Sequence, residues 1–119
     1  MPNRTAIART DLPSGVEVFR LNGPFFFAAA AEFEDLLLRS GGLPRVLILR
    51  MAGVPMMDAT GAAALKRFIK VSASKRTAIV LCELAPEPAS VLHNLDVVVP
   101  NVTTFAEAVS FARQLLAGS

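Results

Sequence analysis

Asp58, Ala59, Thr60 and Gly61 carry the clearest chemical signature in the chain. A short carboxylate at the head of a run that reads as a helix is an N-cap pattern, because it accepts from the N–H groups two and three residues on. A helix start holds unpaired donors and a partial positive charge, so such a corner can receive an anion or a partner's acceptor. Asp58 itself would repel a phosphate. The chain also has neither GxxxxGK[ST] nor GxGxxG, the loops that cradle phosphates. Nucleotide binding is therefore weakly supported.

The remaining reactive residues assemble little. Ser90 and His93 share a helical stretch, but without an orienting acid and an oxyanion hole they make no triad. One cysteine, Cys82, and one histidine do not supply a metal set. Cys82 lies in the apolar run that begins at Ala78 and reads as a small core residue. Glu32 and Asp35 fall on one helix face with Glu34 nearby, which is the pattern of a solvated surface. No cofactor, metal or catalytic group is expected. Lys66, Arg67 and Lys70, followed by Lys75 and Arg76, form a basic cluster, with no acid between Asp58 and Glu83. It reads either as a solvated helix face or as an electrostatic patch for anionic lipid headgroups or an acidic protein. Phe25, Phe26 and Phe27 read as core, with part of the run free to form a docking patch. Three consecutive side chains cannot all point inward from one regular strand.

These residues need a framework to hold them. The 119 residues are 53% hydrophobic and 18% charged, enough for one domain with a real core. The net charge of +2, from 12 basic and 10 acidic residues, gives no argument for nucleic acid. The single cysteine and the lack of a recognisable leader predict a reducing cytoplasmic setting. The longest apolar stretch, Pro24 to Ala31, falls well short of the roughly 20 residues that span a bilayer. The chain is expected to be soluble, alone or as the soluble part of a larger membrane protein.

Residues 1–13 read as an N-terminal tail or linker, and residues 14–119 as one domain. Val16, Val18 and Leu21 predict a strand ended by Asn22-Gly23-Pro24. Phe25 to Phe27 predict either a second short strand, closing an N-terminal hairpin, or a buried approach to the next helix. A helix is predicted over Ala28 to Arg39, with Phe33, Leu36 and Leu37 on its apolar face and Gly41-Gly42 as its stop. Strands follow at Val46 to Leu49, Thr77 to Leu81 and Asp96 to Val99. Helices follow at Ala59 to Ser72, from Ala85-Pro86 onward, and after Thr103 or Thr104 as cap, with Glu107 placed for a capping box with Thr104. Alternation at this spacing predicts an α/β fold with a mixed, mostly parallel central sheet and helices packed on it.

Val46 to Met51, followed by Val54 to Gly61, resembles the STAS domain. That domain is shared by anti-sigma factor antagonists and by the C-terminal cytoplasmic domains of SulP (sulfate-permease-type) anion transporters. Gly15 to Ala30, with its Gly-Pro-Phe-Phe-Phe run, resembles the transporter branch. The resemblance implies a STAS, anti-sigma factor antagonist-like fold. It implies a non-catalytic regulatory domain of a SulP-type transporter of sulfate or a related anion, at the cytoplasmic face of the bacterial inner membrane. The implied partners are the transmembrane domain of the same transporter, a second copy of the domain and a cytosolic protein. The implied contacts are Asp58 to Gly61, Lys66, Arg67 and Lys70, and Phe25 to Phe27. Antagonists carry a phosphorylatable Ser or Thr directly after the motif aspartate, where this chain has Ala59. Thr60 is one residue off. Two alternatives stay open: a free-standing antagonist-like regulator in a partner-switching pathway, and a small enzyme or nucleotide binder.

Overall fold

The computed structural model describes residues 12–39 and 42–118. A partly alternating stretch forms β1 (Val16–Asn22), apolar runs form β2 (Val46–Gly53) and β3 (Ala78–Cys82), and a two-residue β4 (Asn101–Val102) follows. Where apolar side chains recur with helical period, the chain forms α1 (Phe27–Arg39), α2 (Ala59–Ser74), α3 (Pro86–Asn94) and α4 (Phe105–Ala117). Among the described residues the strands form one parallel sheet in the order β1-β2-β3-β4. Arg20, Arg50 and Cys82 fall in one row across it.

Alternation along the strands splits the core in two. Phe19, Leu21, Leu47, Leu49, Met51, Ile79 and Leu81 point to the side packed by Phe33 and Leu37 of α1, Leu65 and Phe68 of α2, and Leu92 of α3. Successive crossovers of one hand, each stepping one strand the same way, leave their helices on the same face. The opposite face, with Val46, Ile48, Val80 and Cys82, packs on Ala108 and Ala112 of α4. These small residues let the helix lie close to the sheet. Phe33 is central to the larger core, meeting Phe19, Phe25 and Phe68 edge-on with centroids 5.4, 5.9 and 5.2 Å away. Such pairs add about 0.5–1.5 kcal/mol each beyond the area they bury.

The parallel α/β framework follows the expectation, and three local expectations are corrected. There is no N-terminal hairpin of β1 with Phe25 to Phe27. Phe25 bridges Met57 in parallel, Gly23 N–H donates to the Gly53 carbonyl at 2.8 Å, and Phe25 N–H donates to the Met56 carbonyl at 3.0 Å. The segment after β1 thus runs beside the loop after β2, and Phe27 already belongs to α1. The strand expected at Asp96 to Val99 is instead the closure of α3. Asp96 sits at φ +55°, its N–H donates to the His93 carbonyl, and Val97 N–H donates to the Leu92 carbonyl, each at 3.0 Å. This is a Schellman ending, and it diverts the chain so that only Asn101 and Val102 reach β3. Finally, α2 runs two residues past Ser72, to Ser74. Most of the expected tail, Gly41 and the side chains of Phe27 and Leu36 lie outside the description.

Candidate functional site

The corner at Asp58 is built by local hydrogen bonds under tertiary cover. Asp58 keeps extended backbone angles (φ −98°, ψ 176°) and caps α2: its Oδ1 accepts from Gly61 N–H at 2.8 Å and from the Thr60 hydroxyl at 2.7 Å. These two donors, the Gly61 amide first, hold the carboxyl below its ordinary pKa. Asp58, Ala59 and Thr60 are exposed, whereas Gly61 is buried. A Cβ on Gly61 would overlap the Phe25 carbonyl, so the crossing of the 22–25 segment over the head of α2 requires glycine there. Glu87, in the first turn of α3, accepts from Met57 N–H at 3.2 Å and ties a third element to the corner.

The phenylalanine run divides. Phe25 is 3% exposed and belongs to the core, while Phe26 is 41% exposed beside Met56 at 42%. The parallel bridge between Phe25 and Met57 turns Phe26, Met56 and Asp58 to the outside together. The basic residues lie further along α2. Lys66, Arg67 and Lys70 are all exposed, and Lys66 Nζ donates to the Leu95 carbonyl at 3.0 Å. The expected residues therefore form a continuous corner with Phe26, and a separate basic face beginning two turns down the same helix.

A second polar site escaped the sequence reading. Arg50, near the end of β2, forms a two-pronged ion pair with Glu83, directly after β3: Nε to Oε1 at 2.7 Å and Nη2 to Oε2 at 2.8 Å. Its guanidinium lies 4.3 Å from the centroid of the Phe105 ring at the start of α4. The two side chains are only 18% and 22% exposed. The hydrogen bonds from Arg50 hold the Glu83 carboxyl below its usual range, and burial opposes them. One signal was available: Arg50 alternates with Val46 and Ile48, so it sits on a covered face, where a cation needs a partner. Cys82 is fully buried, and its thiol is pushed up to about 12, by burial first and by the Glu83 charge next. It stays a thiol at neutral pH, as a core residue. Ser90 and His93 are both exposed on α3. Among the described residues no group of three His, Cys, Asp or Glu could hold a metal ion.

A comparison with protein families matches the STAS domain over residues 8–111. The chain is a STAS domain. No curated protein sequence matches it. Among solved structures it is similar to a sulfate transporter family protein from Wolinella succinogenes, at 30% identity and a TM-score of 0.80, over 89% of this chain and 91% of that one. It is similar to the SulP transporter STAS domain from Vibrio cholerae, at 29% identity and a TM-score of 0.73, over 91% and 88% of the two chains. It also resembles the anti-sigma factor antagonist SpoIIAA in its unphosphorylated form, at 14% identity and a TM-score of 0.63, over 95% and 98%. That last likeness shows the fold alone.

In this STAS domain the corner at Asp58 is turned to solvent. It offers an apolar surface at Phe26 and Met56 next to a fixed carboxylate and one hydroxyl. The Thr60 hydroxyl points its proton at Asp58 and lies beside Ala59, which has no reactive group. Asp58 is engaged as a cap. Its depressed pKa makes it a poor general base at neutral pH, since an efficient one titrates near the working pH. Among the described residues no helix is long and apolar enough to cross a membrane.

Proposed function

We propose that this STAS domain is the non-catalytic regulatory and interaction domain of a SulP-type secondary anion transporter. It lies at the cytoplasmic face of a bacterial inner membrane, as part of a longer membrane protein. The observation that carries the reading is Ala59. The position directly after the capping aspartate has no hydroxyl to phosphorylate, so the charge switch of a partner-switching antagonist has no acceptor there. The 30% and 29% identities to transporter-type proteins support the same branch. The corner Asp58 to Gly61 and the exposed Phe26 serve as the contact with the transporter's membrane-embedded part or a cytosolic protein. The basic face adds an electrostatic contact. The choice of anion, sulfate or a relative, belongs to the membrane-embedded part.

Thr60 favours a second reading. Its hydroxyl is exposed at the head of α2, and a free-standing antagonist would be phosphorylated there by a serine kinase of the anti-sigma type. An immunoblot of fractionated source cells separates the two. A band much larger than 12.7 kDa in the membrane fraction is the expected result. A small soluble band would overturn the transporter reading and turn attention to Thr60.

A further inference from the structure

The outer side of α2 carries a strip of positive charge. Lys66, Arg67 and Lys70 are exposed and span an arc of about 100° centred opposite the buried residues Leu65, Phe68 and Ser72. Lys75 and Arg76, also exposed, close the helix and extend the strip to about 15 Å. Glu32 and Asp35 of the neighbouring α1 do not border it. They line a groove on the far side of α1, with Arg39 and with Phe19, Arg20 and Leu21 of β1, and Asp35 pairs with Arg39 at 2.9 Å. Asp58, at the head of α2, is engaged as its cap. The segment after α3 does border the strip, because Lys66 Nζ donates to the Leu95 carbonyl at 3.0 Å. Asp96 in that segment is exposed and offsets one of the cations. Val98, at most about 11 Å of chain beyond Leu95, is 91% exposed between the half-buried Val97 and Val99.

We propose that the basic strip of α2 and the exposed Val98 beside it form a contact with an anionic bilayer surface. Lys66, Arg67, Lys70, Lys75 and Arg76 meet the lipid phosphates, and Val98 enters the boundary between headgroups and acyl chains. Charge complementarity selects an anionic occupant, since a cluster of this size gains from each cation brought near a negative leaflet. Val98 selects the bilayer among anionic occupants. An apolar side chain held in water is recovered by the acyl boundary, whereas a uniformly acidic protein answers the cations alone. Nucleic acid fits less well, because the exposed side chains of the strip include no aromatic on which a base could stack. This occupant rests on the reading of the basic face as an electrostatic contact. It does not depend on attachment to a transporter, so its failure leaves that reading to the immunoblot.

Co-sedimentation of the chain with vesicles tests this. The expected result is binding at low salt to vesicles of equal parts phosphatidylglycerol and phosphatidylcholine, and none to phosphatidylcholine alone. Binding should fall steeply near 1 M salt, where the screening length is about 3 Å. K66Q/R67Q/K70Q should weaken it on the order of 100-fold. The milder R67Q/K70Q, which keeps the Lys66 bond, should weaken it roughly 10-fold or more. Val98→Ser should weaken it about 5-fold. E32Q/D35N, on the far side of α1, should stay within about 2-fold of the wild type. Circular dichroism matching the wild type confirms that each variant is folded. A wild type that ignores the anionic vesicles overturns the proposal. So does binding that survives the triple substitution or Val98→Ser. A rise in E32Q/D35N as large as the fall in R67Q/K70Q overturns it too, because net charge and not this strip then decides. Tighter binding to polyglutamate than to the vesicles also overturns it and makes an acidic protein the occupant.

Discussion

Asp58 and Glu83 are both carboxylates held below their ordinary pKa, both beyond the C-terminal ends of strands, and they are built in opposite ways. The partners of Asp58 lie two and three residues along the chain, and the group is exposed. The partner of Glu83 lies 33 residues away on the neighbouring strand, and the pair is mostly covered, with Phe105 over the guanidinium. Glu83 also occupies the left-handed region at φ +63°, which a non-glycine residue holds only when its surroundings insist. The exposed cap lies at the surface, on the same side as Phe26 and Met56. The covered pair joins β2, the end of β3 and the start of α4. One site is local and exposed, and the other ties the sheet to α4.

Substitutions break or sharpen this contrast, and the largest effect is expected at the corner's hidden glycine. Gly61→Ala places a Cβ against the Phe25 carbonyl, which is backbone and cannot swing away. A loss of about 3 kcal/mol or more is expected in denaturant unfolding. An unchanged midpoint would mean that the close crossing does not shape the corner. Arg50→Ala or Glu83→Ala should cost about 1–3 kcal/mol, since each strands a charged, mostly covered partner. The double variant should be less harmful than the sum of the two, which a double-mutant cycle reads directly.

Asp58→Ala should lower the melting temperature by a few degrees, and Asp58→Asn by less, because asparagine also caps. Equal effects of the two would place the contribution in charge and not in the hydrogen bond. Arg76→Gly should act in the opposite sense, raising stability by roughly 1 kcal/mol or less. Arg76 closes α2 at φ +64°, where glycine carries no Cβ penalty. Acid titration sharpens the contrast further. Both carboxyls are depressed in the folded state, so their contribution is complete above the ordinary carboxylate pKa of about 4. It is lost as pH falls through the lower folded values. Glu83→Gln should remove more of that acid-induced loss than Asp58→Asn, as followed by melting temperature against pH.

Much of this was legible from the residues. The cap at Asp58, the capping box of Thr104 with Glu107, the partial alternation of β1 and the apolar runs of β2 and β3 all appear in the structure where the pattern places them. The Phe25 to Phe27 run misled, because Asn22-Gly23-Pro24 reads as a reversal. Only the hydrogen bonds to Gly53 and Met56 show the chain running on beside the next loop. Asp96 to Val99 misled in a similar way, its valines suiting a strand while its first residue ends a helix.

The amino-acid order by itself determined the helix caps and the amphipathic faces, because these depend on neighbours within about four residues, and the alternation of strands with helices pointed to the parallel α/β framework. It determined too that Ala59 offers no hydroxyl. Tertiary structure alone decided that Gly61 must be glycine, that Phe26 and not Phe25 faces outward, and that Arg50 finds Glu83. Each of these joins residues far apart in the chain. Strand register and helix packing set the distances between them, and neither is written in any local stretch of the sequence.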